Sequence, residues 1–207
     1  MSHRTHRTNN FLIAALLLIV VLQLGCARNP ILRADSAVMD TQGVVFMTLG
    51  YKNLDQPYQV YEIAIRHIHT KEIKARFSAF PSGMFGVDKN ALKIVNGLVM
   101  LTAIELPPGE YEIYKYGAYT DIGPISPQVT YQPMTNARVE VKAREATYLG
   151  SLTLENVMHE QRGYQYVVAD NLERDWSALE NFKPQLSNWP VRKQLISSDP
   201  IGPLRRY

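Results

Sequence analysis

Alternation between apolar and polar residues dominates the chain from Gly43 to Asp170 and predicts a body built of short β-strands. Turn-forming residues interrupt the pattern every eight to twelve positions, and no long helical period lies between the strands. The predicted strands are 43–51, 60–68, 71–80, 98–106, 137–143, 147–157 and 163–170, with further short runs around 92–95, 110–116 and 128–133. Without crossover helices we expect antiparallel neighbours and two packed sheets, which is a β-sandwich.

Three turns connect these strands in predictable ways. A short His-Thr connection joins 60–68 to 71–80 as a hairpin, and Asn96-Gly97 between apolar runs predicts a second hairpin. Pro107-Pro108-Gly109 predicts a tight turn into the strand that carries Tyr111 and Ile113.

The period changes near the C-terminus, where the pattern predicts a helical segment over residues 171–197. Leu172, Trp176, Leu179 and Phe182 recur at helical spacing and form one apolar face. Asp170 is predicted as the N-cap with Glu173 as its capping-box partner, and Pro184 ends the helix.

Two shorter segments follow the helix. A short helical turn is predicted after Pro190, and residues 198–207 are predicted as a flexible tail.

The N-terminal pattern is typical of a secretory signal. Residues 11–22 are twelve consecutive apolar residues, fewer than the roughly 20 needed to span a bilayer. Arg4 and Arg7 precede them with no acidic residue, and Gly25-Cys26 follows. We therefore predict a signal peptide over residues 1–25.

The end of this signal resembles the lipobox of bacterial lipoproteins at Leu22, Gly25 and Cys26, although Gln23 and Leu24 stand where the family prefers Leu and a small residue. The resemblance implies that a diacylglycerol is attached to the Cys26 thiol, that cleavage occurs just before it, and that the new amine is acylated. Ala27, rather than Asp, implies transfer to the outer membrane. Two or more acyl chains hold a protein stably on a membrane.

Residues 26–42 are then predicted as a lipidated tether that holds the sandwich domain, residues 43–170, off the headgroups.

Composition narrows the class further. Residues 1–25 hold two of the 22 basic residues and none of the 19 acidic ones, so the remaining 182 residues are almost neutral. No basic run or stripe is present, which argues against a nucleic-acid partner. Cys26 is the single cysteine, so the mature chain forms no internal disulfide.

Two stretches of the body carry a second resemblance. "LPPGEYEI", residues 106–113, and "YLGSL", residues 148–152, resemble a group of uncharacterised bacterial lipoproteins whose domain is a transthyretin-like or carboxypeptidase-regulatory-like sandwich. The resemblance covers residues 43–170 and implies a sandwich of the transthyretin or immunoglobulin type. Together with the helical pattern that follows, the predicted fold is mostly β, an antiparallel sandwich with a short C-terminal helical appendage. It implies no particular activity.

Candidate chemistry is sparse. His67 and His69 share a strand face, but a zinc site needs three or four ligands and His159 has no patterned partner, so we predict no metal. Glu110 and Glu112 are interpreted as part of an exposed sheet face rather than an acid/base pair. No nucleophile, phosphate-binding or metalloprotease motif is present, and we predict no catalytic residue and no cofactor. An enzyme with a non-contiguous site remains an alternative.

Twelve tyrosines are the unusual feature of the composition. Tyr111 is expected on the buried face, Tyr114 and Tyr116 on opposite faces, and Tyr119 follows in the same strand. Sheet packing explains this enrichment. The alternative is a Tyr-rich face that binds glycan or peptide.

The sequence therefore predicts a lipid-anchored protein of the bacterial envelope, on the outer membrane facing the periplasm, with a structural or protein-interaction role. The apolar stripe around Trp176 is expected to pack across a sheet or its edge; the alternative is docking on another envelope protein.

Overall fold

The computed structural model describes residues 32, 36–54, 58, 60–83, 86–87, 91–119, 128–131, 137–157 and 163–196. Within them the chain is mostly β, with two main sheets and one helix. The strands are β1 (Gly43–Lys52), β2 (Val60–His67), β3 (Ile73–Ala79), β4 (Ser82–Gly83), β5 (Gly86–Val87), β6 (Ala91–Ile94), β7 (Gly97–Leu106), β8 (Gly109–Tyr119), β9 (Gln128–Tyr131), β10 (Ala137–Val141), β11 (Ala146–Val157), β12 (Gly163–Ala169) and β13 (Val191–Lys193). Helix α1 spans Leu172–Phe182.

Two sheets form a sandwich-like body. The first sheet has the strand order β12-β11-β1-β7-β6, with β13 also paired to β11. The second sheet has the order β10-β8-β2-β3, with β9 also paired to β8. The small β4–β5 pair stands apart from both sheets.

Strand β1 is buried on both faces, which explains its nearly uninterrupted apolar sequence. Val45, Met47 and Leu49 face the core between the sheets. Val44 and Phe46 face the other side of the first sheet, where a second apolar cluster lies. The first sheet is therefore a middle layer that needs a cover on its outer face.

The expectation of antiparallel neighbours holds for most strand pairs and is wrong for two. Strand β1 pairs with β11 in parallel, and β11 pairs with β13 in parallel. Parallel partners need a long connection, and the connection from β1 to β11 runs through strands of both sheets. Periodicity within one strand carries no information about such distant partners.

The predicted turns are present. Strands β2 and β3 pair as an antiparallel hairpin. In the β6–β7 hairpin Ile94 pairs with Gly97, so the two-residue loop is Val95-Asn96, and Asn96 adopts a positive φ of 57°. The Pro107-Pro108 turn carries the chain from the first sheet to the second.

Gly150 creates an irregularity that shapes the outer face of the first sheet. Its φ is 113°, and the register of β11 against β1 shifts there, from Phe46↔Tyr148 to Thr48↔Ser151. This bulge lets Tyr148 and Ser151 both point to the helix side, although strict alternation would separate them. A side chain at this position would also meet Val168 at 2.7 Å.

The C-terminal segment covers the outer face of the first sheet. Leu179 is fully buried on it, together with Leu186 of a 3₁₀ turn over Pro184–Leu186. Residues 191–193, predicted as a helical turn after Pro190, instead form β13, because the free edge of β11 at Ala146–Tyr148 offers a backbone partner.

The start of helix α1 also differs from the prediction. Asn171, not Asp170, is the N-cap, and the Asn171 side chain makes no capping hydrogen bond. Asp170 instead accepts the Leu172 N–H and pairs with Lys193. The predicted capping box with Glu173 is therefore wrong.

Candidate functional site

The interface between helix α1 and the first sheet combines an apolar cluster with a buried polar network. The ring of Phe46 lies 5.1 Å from that of Tyr148 and 5.7 Å from that of Trp176. Leu172 and Trp176 are partly buried against the same cluster, as the predicted stripe requires. Phe182, the last residue of that stripe, is 40% exposed.

Asp175 lies at the centre of the polar network and is fully buried. Its Oδ2 accepts the hydroxyl of Tyr148 at 2.7 Å and that of Thr48 at 3.0 Å. Its Oδ1 accepts Nε of Arg174 at 2.8 Å and pairs with Nη2 at 2.7 Å. Nη2 also reaches the hydroxyls of Thr48 and Ser151. The network ties the helix to β1 and β11 by charge-assisted hydrogen bonds.

Burial governs the ionisation of this network. Loss of solvent raises the pKa of Asp175 above its ordinary value, although the Tyr148 hydrogen bond and the Arg174 charge act in the opposite direction. Burial, followed by the Asp175 hydrogen bond and charge, raises the pKa of the Tyr148 hydroxyl. The tyrosine therefore acts as a neutral hydrogen-bond donor to the carboxylate.

On one side of the helix lies a depression that we call the apolar groove, with a volume of about 700 Å³. Helix α1, strand β3 and strand β7 form its walls. The described lining residues are Leu32, Arg76, Phe77, Ser78, Leu92, Met100, Leu101, Thr102, Ala103, Ile104, Arg174, Ser177, Ala178, Asn181 and Phe182. Its volume lies in the range of about 300–1,000 Å³ that is common for ligand sites.

On the other side of the helix lies a second depression, the polar cavity, of about 740 Å³. It extends over the outer face of β11 and β12 towards the β6–β7 hairpin. Its described charged residues are Lys52, Lys93, Glu155 and Arg174, and the buried Ser151 and Thr153 contribute hydroxyls. Arg174 thus borders both depressions.

Glu112 is buried on the outer face of the second sheet, contrary to the interpretation of Glu110 and Glu112 as an exposed pair. It accepts Nε of Arg66 at 2.7 Å and Nζ of Lys71 at 2.8 Å. Glu110 is exposed and lies 3.6 Å from His69. The ion pairs of Glu112 with Arg66 and Lys71 therefore link β2 and the turn after it to β8.

The histidine pair belongs to the turn after β2. Nδ1 of His67 accepts the backbone N–H groups of His69 and Thr70 at 3.3 and 3.4 Å. The two imidazole rings lie 5.7 Å apart. Among the residues that the structure describes, no group of three metal-ligating side chains occurs, and His159 lies outside them.

Two of the tyrosines of β8 pack in the hydrophobic core. Tyr111 and Tyr116 are buried, and the Tyr111 hydroxyl donates to Pro107 O. Tyr114 is half-buried under the Arg66 guanidinium, 4.6 Å from its ring centre. Regular alternation would place Tyr114 and Tyr116 on one face, but a bulge opposite Ala64–Ile65 interrupts it at Tyr114, so the two side chains lie on opposite faces. The side chain of Tyr119 lies outside the described residues.

The predicted lipid attachment site, Cys26, lies outside the described residues, but part of the segment that follows is in place. Leu32 is buried, and its N–H donates to Ala103 O at 2.9 Å on the edge of β7. The buried Lys183 contacts the Ser36 carbonyl through Nζ. In the described part of the chain, no helix is long and apolar enough to cross a membrane.

The hydrophobic pattern does not reveal Arg174 and Asp175, because apolar residues alone define the predicted helical face. Asp175 is three residues after Leu172 and four before Leu179, so it lies on the same face. A carboxylate at that spacing, with an adjacent arginine, is the signal that could have indicated a buried ion pair.

Comparisons with known proteins add little. No protein-family model and no curated protein matches the chain. Among solved structures, the chain is similar to a leucine-rich repeat protein from Bacteroides thetaiotaomicron, with 12% identity and a TM-score of 0.32. The match covers 56% of this chain and 14% of the other. At that score the likeness carries no argument about fold or function.

Proposed function

We propose that this chain is a lipid-anchored protein of the bacterial envelope that serves a structural or interaction role. In this proposal the signal over residues 1–25 is removed, Cys26 carries the acyl chains, and Ala27 sends the protein to the outer membrane, facing the periplasm. The membrane is then its first partner, and a second envelope protein is expected to bind the domain.

A single observation favours binding over catalysis. The convergent polar side chains of the described residues are engaged with one another, as Asp175 is with Arg174, Tyr148 and Thr48. The apolar groove beside them is lined mainly by side chains without reactive groups. Such a surface suits recognition of another molecule better than bond making.

We further propose that the sandwich is of the transthyretin-like type. The Leu106–Pro107–Pro108 turn supports this, because it leads into strand β8 at Gly109, as the resemblance implies.

The decisive experiment is intact-mass analysis of the protein purified from membranes of a Gram-negative host. We expect a chain that begins at Cys26 and carries the added mass of a diacylglycerol and a further acyl chain. The Cys26→Ser variant should lose the lipid and leave the membrane fraction. A Gln23→Leu/Leu24→Ala variant, closer to the lipobox pattern, serves as the matched control and should be acylated at least as fast. A bare Cys26 or an intact N-terminus would refute the proposal.

The polar cavity favours a second candidate function, the binding of an anionic small molecule. Lys52, Lys93 and Arg174 face it with Glu155 as its single described carboxylate. Titration with inorganic phosphate, followed by calorimetry, should show binding that Lys93→Ala weakens and that Lys142→Ala, a change elsewhere on the surface, leaves intact. Equal affinity of both variants would rule the cavity out.

A further inference from the structure

The chain joins the folded domain much earlier than the start of β1. Leu32 is 5% exposed and donates its N–H to the open edge of β7, so the domain begins to hold the chain at that residue. Cys26 precedes Leu32 by six residues, and six extended residues span at most about 20 Å. Whatever anchors Cys26 is therefore within that distance of Leu32.

Leu32 also lines the apolar groove, so the groove lies close to the lipid anchor at Cys26. We propose that the groove face of the domain lies against the bilayer, and that an acyl chain of a membrane phospholipid occupies the groove. The inference rests on the proposed acylation of Cys26. It goes further, because it gives the domain an orientation and the groove a ligand.

The walls of the groove fit a hydrocarbon chain. Met100 and Leu101 are half-buried in it, and Phe182 at its rim is one of the exposed large apolar residues of the described chain. Water in contact with these side chains is unfavourable, and an acyl chain would replace it.

The charges of the groove fit a lipid headgroup. Its charged lining residues, within the described part of the chain, are Arg76 and Arg174, and both are cationic. Arg76 is exposed and lies 3.9 Å from Glu62, a distance that leaves its guanidinium able to meet a phosphate. Arg174 is held in place by the buried Asp175.

The opposite edge of the sandwich, at β10 of the second sheet, has a different character. Charged side chains pair with each other there, such as Arg192 of β13 with Glu140 of β10. Arg138, on the edge strand β10 of that sheet, is exposed. This side suits water, so the two faces define a membrane side and a periplasmic side.

The single cysteine allows a direct test. Acylation consumes the thiol of Cys26, so a cysteine introduced elsewhere is the only site for a bimane label. Asn181→Cys places the label at the groove, and Arg138→Cys is the matched control on the far side. The acylated full mature protein is reconstituted in phosphatidylethanolamine–phosphatidylglycerol vesicles, with and without lipids brominated along their acyl chains.

We expect brominated chains to quench the label at position 181 at least twofold and to leave the label at position 138 unchanged, because quenching requires contact with the acyl region. Equal quenching at both positions, or none at 181, would overturn the orientation. A blue-shifted label at 181 that brominated lipid does not quench would mean that a second copy or another protein covers the groove, and would overturn the proposal too.

A groove-filled variant tests the occupant itself. Ala178→Phe in the Asn181→Cys background should remove most of the quenching by brominated lipid, because the phenyl ring takes the place of the acyl chain and does not itself quench bimane. Ser177→Phe is used instead if Ala178→Phe does not fold. Full quenching in a folded, filled variant would overturn occupancy of the groove.

Mass analysis of the labelled protein distinguishes a failure of the proposed acylation at Cys26 from a failure of the proposed groove orientation. Two labels on each chain mean that Cys26 is bare and that the proposed acylation is wrong. One label with the lipid mass, and no quenching at 181, refutes the present inference alone.

Discussion

Replacement of Asp175 by Ala tests the idea that a buried ion pair locks helix α1 to the sheet. The side chain is fully buried and accepts hydrogen bonds from Tyr148, Thr48 and Arg174. Its loss leaves Arg174 without its counter-charge and two hydroxyls without their acceptor. Removal of one partner of a buried ion pair costs about 3–5 kcal/mol of unfolding free energy.

The structure places the effect at the lower end of that range. The Arg174 side chain is 33% exposed where it borders the two depressions, so water can rehydrate its guanidinium in the variant. The raised pKa of Asp175 also indicates that its partners offset only part of the burial penalty. We expect Asp175→Ala to lower the free energy of unfolding by about 3 kcal/mol.

Urea unfolding, followed by tryptophan fluorescence, measures this change. Trp176 packs on Phe46 in the same interface, so its emission reports the docking of the helix. Glu173→Ala, at an exposed position two residues before Asp175 on the same helix, is the control and should stay within about 0.5 kcal/mol of the wild type. A loss of less than about 1 kcal/mol for Asp175→Ala would refute the argument.

A double-mutant cycle with Tyr148→Phe adds a second check. Tyr148→Phe alone removes one hydrogen bond to a charged group, which is worth about 1.5–3 kcal/mol. Because the two side chains contact each other, the double variant should lose clearly less than the sum of the single losses. Strict additivity would mean that the 2.7 Å contact between them contributes nothing.

Three further predictions concern the same layer. Trp176→Ala should lower the free energy of unfolding by about 2 kcal/mol, below the usual loss for a buried aromatic because Trp176 is only half-buried; a thermal melt that is unchanged would instead favour docking on a partner. Burial raises the pKa of Asp175 in the folded state. The contribution of this carboxyl group to stability is therefore greatest below the pKa of an unfolded carboxyl, about 3.9, and decreases as the pH rises towards the folded pKa. Urea unfolding across this pH window should show that decrease in the wild type and not in Asp175→Asn. Gly50→Ala should cost about 1–3 kcal/mol, since its Cβ would collide with the Leu98 carbonyl, and an unchanged urea midpoint would contradict this packing.

The strands were predictable because their signal is local. In 60–65 and 151–155 alternate residues face the core or the other side, and each residue's neighbours two positions away suffice to show it. The pairing of β1 with β11 was not predictable, because Thr48 and Ser151 meet across a separation of 103 residues. Only the three-dimensional register reveals that this pair is parallel.

The polar partners were harder to predict than the apolar ones. Glu112 looked exposed because its strand neighbours alternate normally, yet Arg66 and Lys71 reach it from another strand and its turn. The bulge at Gly150 likewise turns Ser151 towards the helix, against the simple period of two. Buried charges follow such irregularities, which leave almost no trace in the hydrophobic pattern.

The place of β1 between β7 and β11 has a consequence for how the chain acquires its structure. During synthesis β7 emerges early, but β11, the other neighbour of β1, follows β1 by roughly one hundred residues, so that edge of β1 stays open until most of the chain exists. Because β1 can complete its pairing only after β11 has been synthesised, we expect the chain to become compact slowly. Under the export proposed above, this delay keeps the polypeptide unfolded for longer, which is the state that passes through a translocation channel.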